Sequence, residues 1–284
     1  MRSLHLQLRS LGKHHYSIFT SSRVVYFLPI MIGVLLATGL QFSGESSAST
    51  FDSINFIPAL AFVLGFIVWY SSEQQQAKLG DKVFACCMAV LFVIPSYQIS
   101  WAIMLSMCLW LFIKTANNTR AKTGLLIMAA AAAQPMLVTY LLKWFAGPVL
   151  SLDAALVAFL LQLITGSGSH VGNIVYGPSD HQLLILRGCS SLSNIGSTWL
   201  AWYALSRFNE VRLSYRDGLV IIVLTAAILA LNLLRLVSMA IDISWHQWWH
   251  SPEGEQWYQL ISSLFLLSAV ILGIRYASQN RNQE

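Results

Sequence analysis

Apolar positions along the chain gather into long runs separated by short polar breaks. The clearest are 24–42, 54–70, 124–142 and 218–243, each near the roughly 20 residues needed to cross a hydrocarbon core about 30 Å thick. The run 83–113 is interrupted by Pro95-Ser96-Tyr97-Gln98, and each half is short for a full crossing, which predicts a compact, tilted helical hairpin. The run 149–166 carries Asp153 and Gln162 and is bounded by Gly147-Pro148 and Gly166-Ser167-Gly168. Its polar residues predict a helix that lies on, or dips into, the outer face of a membrane. Residues 170–187 hold a Gly-Pro-Ser-Asp turn between two short extended segments, a β-ribbon pattern that ends at Cys189.

Composition supports the same picture: 56% of the 284 residues are hydrophobic and 10% are charged. A soluble domain runs nearer a quarter charged. The expected fold class is therefore all-α, a polytopic transmembrane helical bundle of about eight spans, with the short extended ribbon before Cys189. A membrane domain over 24–276 is expected, its chemistry in about 150–275, between a basic tail at 1–23 and a C-terminal tail at 277–284. The charged stretch before the first apolar run is too long for a cleavable signal peptide, so that run reads as an uncleaved span.

A net charge of +5 would suggest nucleic acid in a soluble protein. Here the basic residues fall between apolar runs, so they report orientation, the expected contact is the lipid bilayer, and nucleic acid is not an expected partner. Arg2, Arg9, Lys13 and Arg23 put the N-terminal tail in the cytoplasm. Lys78 and Lys82, then Lys114, Arg120 and Lys122, then Arg207, Arg212 and Arg216, and finally Arg275 and Arg281, mark further inner segments. The loop 43–53 has no Lys or Arg and lies outside. Parity then puts the start of the span 190–206 outside, provided that 149–166 does not cross, with Lys143 as a tolerated exception. Arg235 lies about 25 Å along the helix that begins near Gly218, by a rise of 1.5 Å per residue, and His246 and His250 follow in the next outer loop. Cysteine, arginine and histidine thus converge on one side of the membrane.

The four cysteines are too few for a disulfide framework. Cys86, Cys87 and Cys108 sit inside apolar runs and read as small buried hydrophobes. Cys189 stands instead in Arg187-Gly188-Cys189-Ser190-Ser191, at the entrance of a helix. There the N–H groups and positive dipole end favour a thiolate, as do Arg187 and Arg235 nearby. Arg235 within an apolar run costs about 2.5–3.5 kcal/mol at mid-membrane, unless it snorkels to the headgroups. Asn232, three residues earlier on the same face, is placed to hydrogen-bond the guanidinium or a substrate carbonyl. His246 and His250 lie among tryptophans of an interfacial belt. They are polar loop residues, a metal-binding pair four residues apart, or general acid–base groups. No His-Glu-x-x-His pattern is present, so no metal or other cofactor is expected.

Gly188-Cys189-Ser190-Ser191-Leu192, Asn232-Leu233-Leu234-Arg235 and His250-Ser251-Pro252-Glu253-Gly254, in that order, resemble the exosortase/archaeosortase family. Those multi-span membrane enzymes carry an invariant Cys, Arg and His, typically as Cys-Ser-Gly, Asn-x-x-Arg and His-x-x-x-Gly. The resemblance covers roughly residues 150–275, and Ser191 stands where the family usually has glycine. It implies a cysteine protease or transpeptidase with Cys189 as nucleophile, Arg235 at the oxyanion and His250 as general acid–base, supported by Asn232, Ser190 and His246. The implied partners are exported proteins bearing a C-terminal sorting signal of the PEP-CTERM type, with a surface glycan or lipid as acceptor. The implied location is the bacterial inner membrane, active site toward the periplasm and both termini cytoplasmic. Two other classes fit the same residues: a transporter whose polar pathway is lined by Arg235 and Asn232, and a non-catalytic component of exopolysaccharide export.

Overall fold

The computed structural model describes residues 22–43, 57–72, 76–94, 96–115, 118–178, 181–210 and 215–279. Residues 1–21 of the basic tail, the loop 43–53 apart from its first residue, Ser179 and Asp180 of the Gly-Pro-Ser-Asp turn, Arg212 and Arg281 lie outside them. Ten α-helices are present among these residues. They are α1 (Ser22–Ser43), α2 (Ile57–Tyr70), α3 (Leu79–Leu91), α4 (Tyr97–Lys114), α5 (Thr119–Trp144), α6 (Ala146–Thr165), α7 (Ser191–Phe208), α8 (Tyr215–Ile241), α9 (Ile243–Trp249) and α10 (Pro252–Gln279).

Five helices are long and apolar enough to cross a membrane: α4, α5, α6, Asp217–Ile241 of α8 and Pro252–Arg275 of α10. Val24–Ala37 and Ile57–Tyr70 are shorter apolar helices. The chain is thus a mostly helical membrane protein, and these helices coincide only in part with the expected eight crossings. Helix α6, expected to lie on the surface, has the length and composition of a span, and α4 alone is long enough without its hairpin partner α3. Helix α7 falls short because it is rich in serine, threonine and asparagine. Large apolar side chains stay exposed along α8 (Leu219, Ile222, Val223, Leu234) and α10 (Leu264, Leu272), as expected of helices whose outer solvent is lipid.

The chain divides into two compact units. One contains α1 and Phe62–Ala133, and the other contains the start of α2 and the chain from Gln134 onward. In the first, Asp81 is the polar centre. Its carboxylate accepts the Lys78 N–H at 2.9 Å and the Trp110 indole N–H at 3.2 Å, and it lies 3.9 Å from the Lys114 ammonium. Cys108 is buried there, but Cys86 and Cys87 are exposed on α3. The expectation of burial fails for these two because α3 turns Asp81 and Ala85 inward, which directs 86 and 87 away from the protein.

The second unit carries the remaining chemistry. Between α6 and α7 the chain forms a three-stranded antiparallel sheet in the order β1 (Ser169–Val171), β2 (Ile174–Tyr176), β3 (Gln182–Leu184). Val175 and Leu183 face each other across β2 and β3. Both are buried, together with Ile185, against Ala154, Val157 and Leu161 of α6 and Leu236 and Ala240 of α8. Any side chain at Gly177 would collide with the carbonyl oxygen of Ala240, so glycine there lets the sheet press against the end of α8. Buried positions on α8 include Val220, Leu224, Ile228, Asn232, Leu236 and Ala240, a ridge of residues four apart in which each side chain neighbours the next while the line winds gradually around the helix. Asn232 lies within that ridge.

Candidate functional site

Three segments distant in sequence meet in the second unit: the turn before α7, the C-terminal third of α8, and α9 with the start of α10. Cys189 closes a single 3-10 turn, Arg187–Cys189, and donates its N–H to the Leu186 carbonyl at 3.0 Å. It is 7% exposed and packs among the apolar residues beneath the sheet.

Ser190 is the N-cap of α7, and its hydroxyl accepts the Leu192 N–H at 3.2 Å. The Ser191 N–H is taken by the buried carboxylate of Asp153 at 3.1 Å. This alters the expected electrostatics. The first turn of α7 was expected to favour a Cys189 thiolate, but a carboxylate from α6 already occupies one of its N–H groups. Arg187, expected to help, is exposed. Asp153, which had suggested a surface helix, is instead a buried cap supplied by a neighbour. Removing a cap acceptor costs about 1–2 kcal/mol. Asp153→Ala is therefore expected to lower the melting temperature of the purified protein in detergent, and Asp153→Asn, which keeps an acceptor, to recover most of the loss.

Asn232 holds the cysteine turn in place. Its amide nitrogen donates to the Cys189 carbonyl at 3.1 Å and to the Ser191 hydroxyl at 3.0 Å. Its amide oxygen accepts from the Tyr258 hydroxyl at 2.8 Å, and that hydroxyl accepts from Asn194 at 3.0 Å. Both amide protons are thus committed inside the protein, rather than to Arg235 or a substrate as expected. The serine at 191 gains a reason too, since its hydroxyl is one of the two acceptors that orient Asn232.

Arg235 lies one helical turn beyond Asn232 and is 9% exposed. Its guanidinium carbon sits 4.2 Å from the centre of the Tyr258 ring and 5.8 Å from that of Trp249. Cation–π contact of this kind steadies a charge shielded from water. Among the described residues the Arg235 Nε–H has no hydrogen-bond partner. A buried donor left unpaired costs roughly 1–3 kcal/mol, and such a group at a polar cluster signals that something else is meant to accept from it. Backbone contacts hold the arginine's surroundings: Ser238 donates its hydroxyl to the Arg235 carbonyl at 2.7 Å and accepts from the Trp249 indole at 2.8 Å.

His250 caps the C-terminus of α9. It keeps an exposed face, while protein atoms crowding its other side, and then the Arg235 guanidinium, hold its pKa below the ordinary imidazole value. It is therefore mainly neutral at neutral pH, the state in which imidazole accepts a proton. A side chain at Gly254 would run into the Trp248 carbonyl, so glycine permits the tight passage from α9 into α10 that turns Tyr258 inward. His246 is placed one turn before His250, their ring centres 4.9 Å apart. Its Nδ1 lies 2.9 Å from Nε2 of His181. Among the described residues, no three His, Cys, Asp or Glu side chains are grouped to hold a metal ion.

The structure thus gathers Cys189, Asn232 and Arg235 around Tyr258, with Ser190 capping α7 beside Cys189, His250 within the field of Arg235 and His246 beside His250. Tyr258, Asn194, Ser238, Trp249 and Asp153 also belong to the cluster and are absent from the sequence expectation. Tyr258 falls four residues after Gly254 on the same face of α10, a signal visible in the spacing. Asp153 had one as well, as the single carboxylate in an apolar helix. Comparison of the chain with protein-family models, curated proteins and solved structures returns no match in any of the three.

Proposed function

We propose that this cluster is the active site of a membrane-embedded cysteine peptidase or transpeptidase. It acts on exported proteins at a C-terminal sorting signal, at the outer face of a bacterial inner membrane. The observation that carries the reading is the unpartnered, buried Arg235 Nε–H beside a cysteine turn locked by Asn232, a donor waiting for an oxyanion.

In this reading the Cys189 sulfur attacks the peptide carbonyl and its proton passes to neutral His250. The carbonyl oxygen, now negative, accepts from Arg235. As the C–N bond breaks, His250 returns the proton to the leaving amine and a thioester remains on Cys189. Water, or the hydroxyl or amine of a surface glycan or lipid, then attacks the thioester, gives its proton to His250, and regenerates the thiol. The chemistry uses side chains alone.

A test uses a variant that keeps Cys189 as its sole cysteine, co-expressed with an exported protein ending in a short motif, an apolar span and a basic tail. A small membrane-impermeant methanethiosulfonate added from the periplasmic side is expected to modify Cys189 and stop processing, with reversal by reductant. A transporter lined by Arg235 would leave processing indifferent to the reagent.

A further inference from the structure

His181 immediately precedes β3, the strand that leads through Ile185 into the cysteine turn. His246 stands at the middle of α9, the helix that ends in His250. The contact between His181 Nε2 and His246 Nδ1, at 2.9 Å, joins the segment carrying Cys189 to the segment carrying His250. The two rings lie 4.8 Å apart, centre to centre. We propose that His181 and His246 form a latch that positions His250 against Cys189 and opens on acidification. The positioning role rests on the peptidase reading above; the latch itself does not.

Two imidazoles can share a hydrogen bond only while at least one nitrogen of the contact is unprotonated. The bond therefore survives when both rings are neutral or when one carries a charge, and fails when both do. Among the described residues, the charged and titratable groups around the pair are few. Asp242, the exposed N-cap of α9, faces His181, and the His250 ring meets that of His246 edge-on, 4.9 Å away centre to centre, with Arg235 acting on His250 in turn. Partial burial, then His250 and His181, press the His246 pKa below the ordinary imidazole value, so the second proton enters only in acid. The sign follows: the latch is closed at neutral pH and is lost as pH falls through the lowered His246 pKa.

Latch and site residues differ in what they predict. His181 and His246 touch no reacting atom, so they are positioning residues. The test is hydrogen exchange of the α9 amides, read by mass spectrometry on the intact protein in nanodiscs and corrected for the intrinsic pH dependence of exchange. In the wild type, α9 exchange is expected to rise about tenfold between pH 7.5 and 5, the equivalent of losing one hydrogen bond. His181→Ala should exchange fast at both pH values. His181→Gln, whose amide bonds His246 regardless of pH, should stay protected at both. Processing should follow at pH 7.5: reduced severalfold in His181→Ala and restored in His181→Gln. Unchanged α9 protection in His181→Ala at pH 7.5 would overturn the latch, as would pH-independent protection in the wild type. If exchange behaves as expected while no variant, wild type included, processes any substrate, the peptidase reading fails and the latch stands.

Discussion

If the proposed function holds, Cys189→Ala is expected to abolish processing of a sorting-signal substrate, with a loss of at least about 10³-fold, and to leave the protein folded. The size of the effect follows from the role assigned to the sulfur, because no neighbouring side chain in the cluster can replace it as a nucleophile. Ser190 and Ser191 come closest in sequence, but one caps α7 and the other accepts from Asn232, so both hydroxyls are engaged. The structural cost should be small. Cys189 packs as a small apolar side chain beneath the sheet, and its hydrogen bonds to Leu186 and Asn232 are made by its backbone, which alanine keeps. Melting temperature and substrate cleavage, measured on the same preparation, separate these two effects. Undiminished cleavage by the folded alanine variant would remove the cysteine from the mechanism.

Arg235→Lys is expected to reduce turnover by about 10²–10³-fold, the usual consequence of losing one oxyanion donor, with little change in KM. Lysine keeps the charge but not the planar fork, and it lacks the Nε–H that Arg235 leaves unpaired. The pH profile provides the control. Because lysine preserves a cation beside His250, the acid limb of activity should stay below the ordinary imidazole pKa of about 6.5. Arg235→Gln removes that cation, so the His250 pKa should rise and the acid limb should move upward, toward 6.5. The proposed mechanism requires neutral His250 at the start of the cycle, so activity is expected to be lost as pH falls through its pKa. A lysine variant with wild-type turnover would show that charge alone suffices and that no donor geometry is involved.

The membrane character was legible because it depends on composition and run length, which the sequence displays directly. The span count was less legible. Helix α6 contains a carboxylate that looked incompatible with lipid, and only the three-dimensional contact with the Ser191 N–H gives that carboxylate a protein partner. The same holds for α7, expected as the span 190–206, whose serines and asparagine turn out to face partners on α6, α8 and α10. Periodicity tells which residues share a face, not what that face meets.

The candidate site divides along the same line. Cys189, Asn232, Arg235 and His250 could be picked from motif spacing. Their division of labour could not, because Asn232 had an obvious local partner in Arg235 and the one it uses is 43 residues away, at the Cys189 carbonyl. Tyr258 shows the limit most clearly. It links Asn232, Asn194 and Arg235, and although its spacing from Gly254 puts it on the right face of α10, the sequence does not say which partners that face meets.

The most direct test of the central claim is isolation of the acyl-enzyme. The protein in nanodiscs is mixed with a sorting-signal precursor and quenched in acid within the first turnover, and the Cys189 peptide is read by mass spectrometry. The account predicts a hydroxylamine-labile adduct on Cys189 equal in mass to the substrate segment upstream of the cut, absent in Cys189→Ala. Cleavage of the precursor without any adduct on Cys189, in a preparation where the alanine variant cleaves equally well, would contradict it.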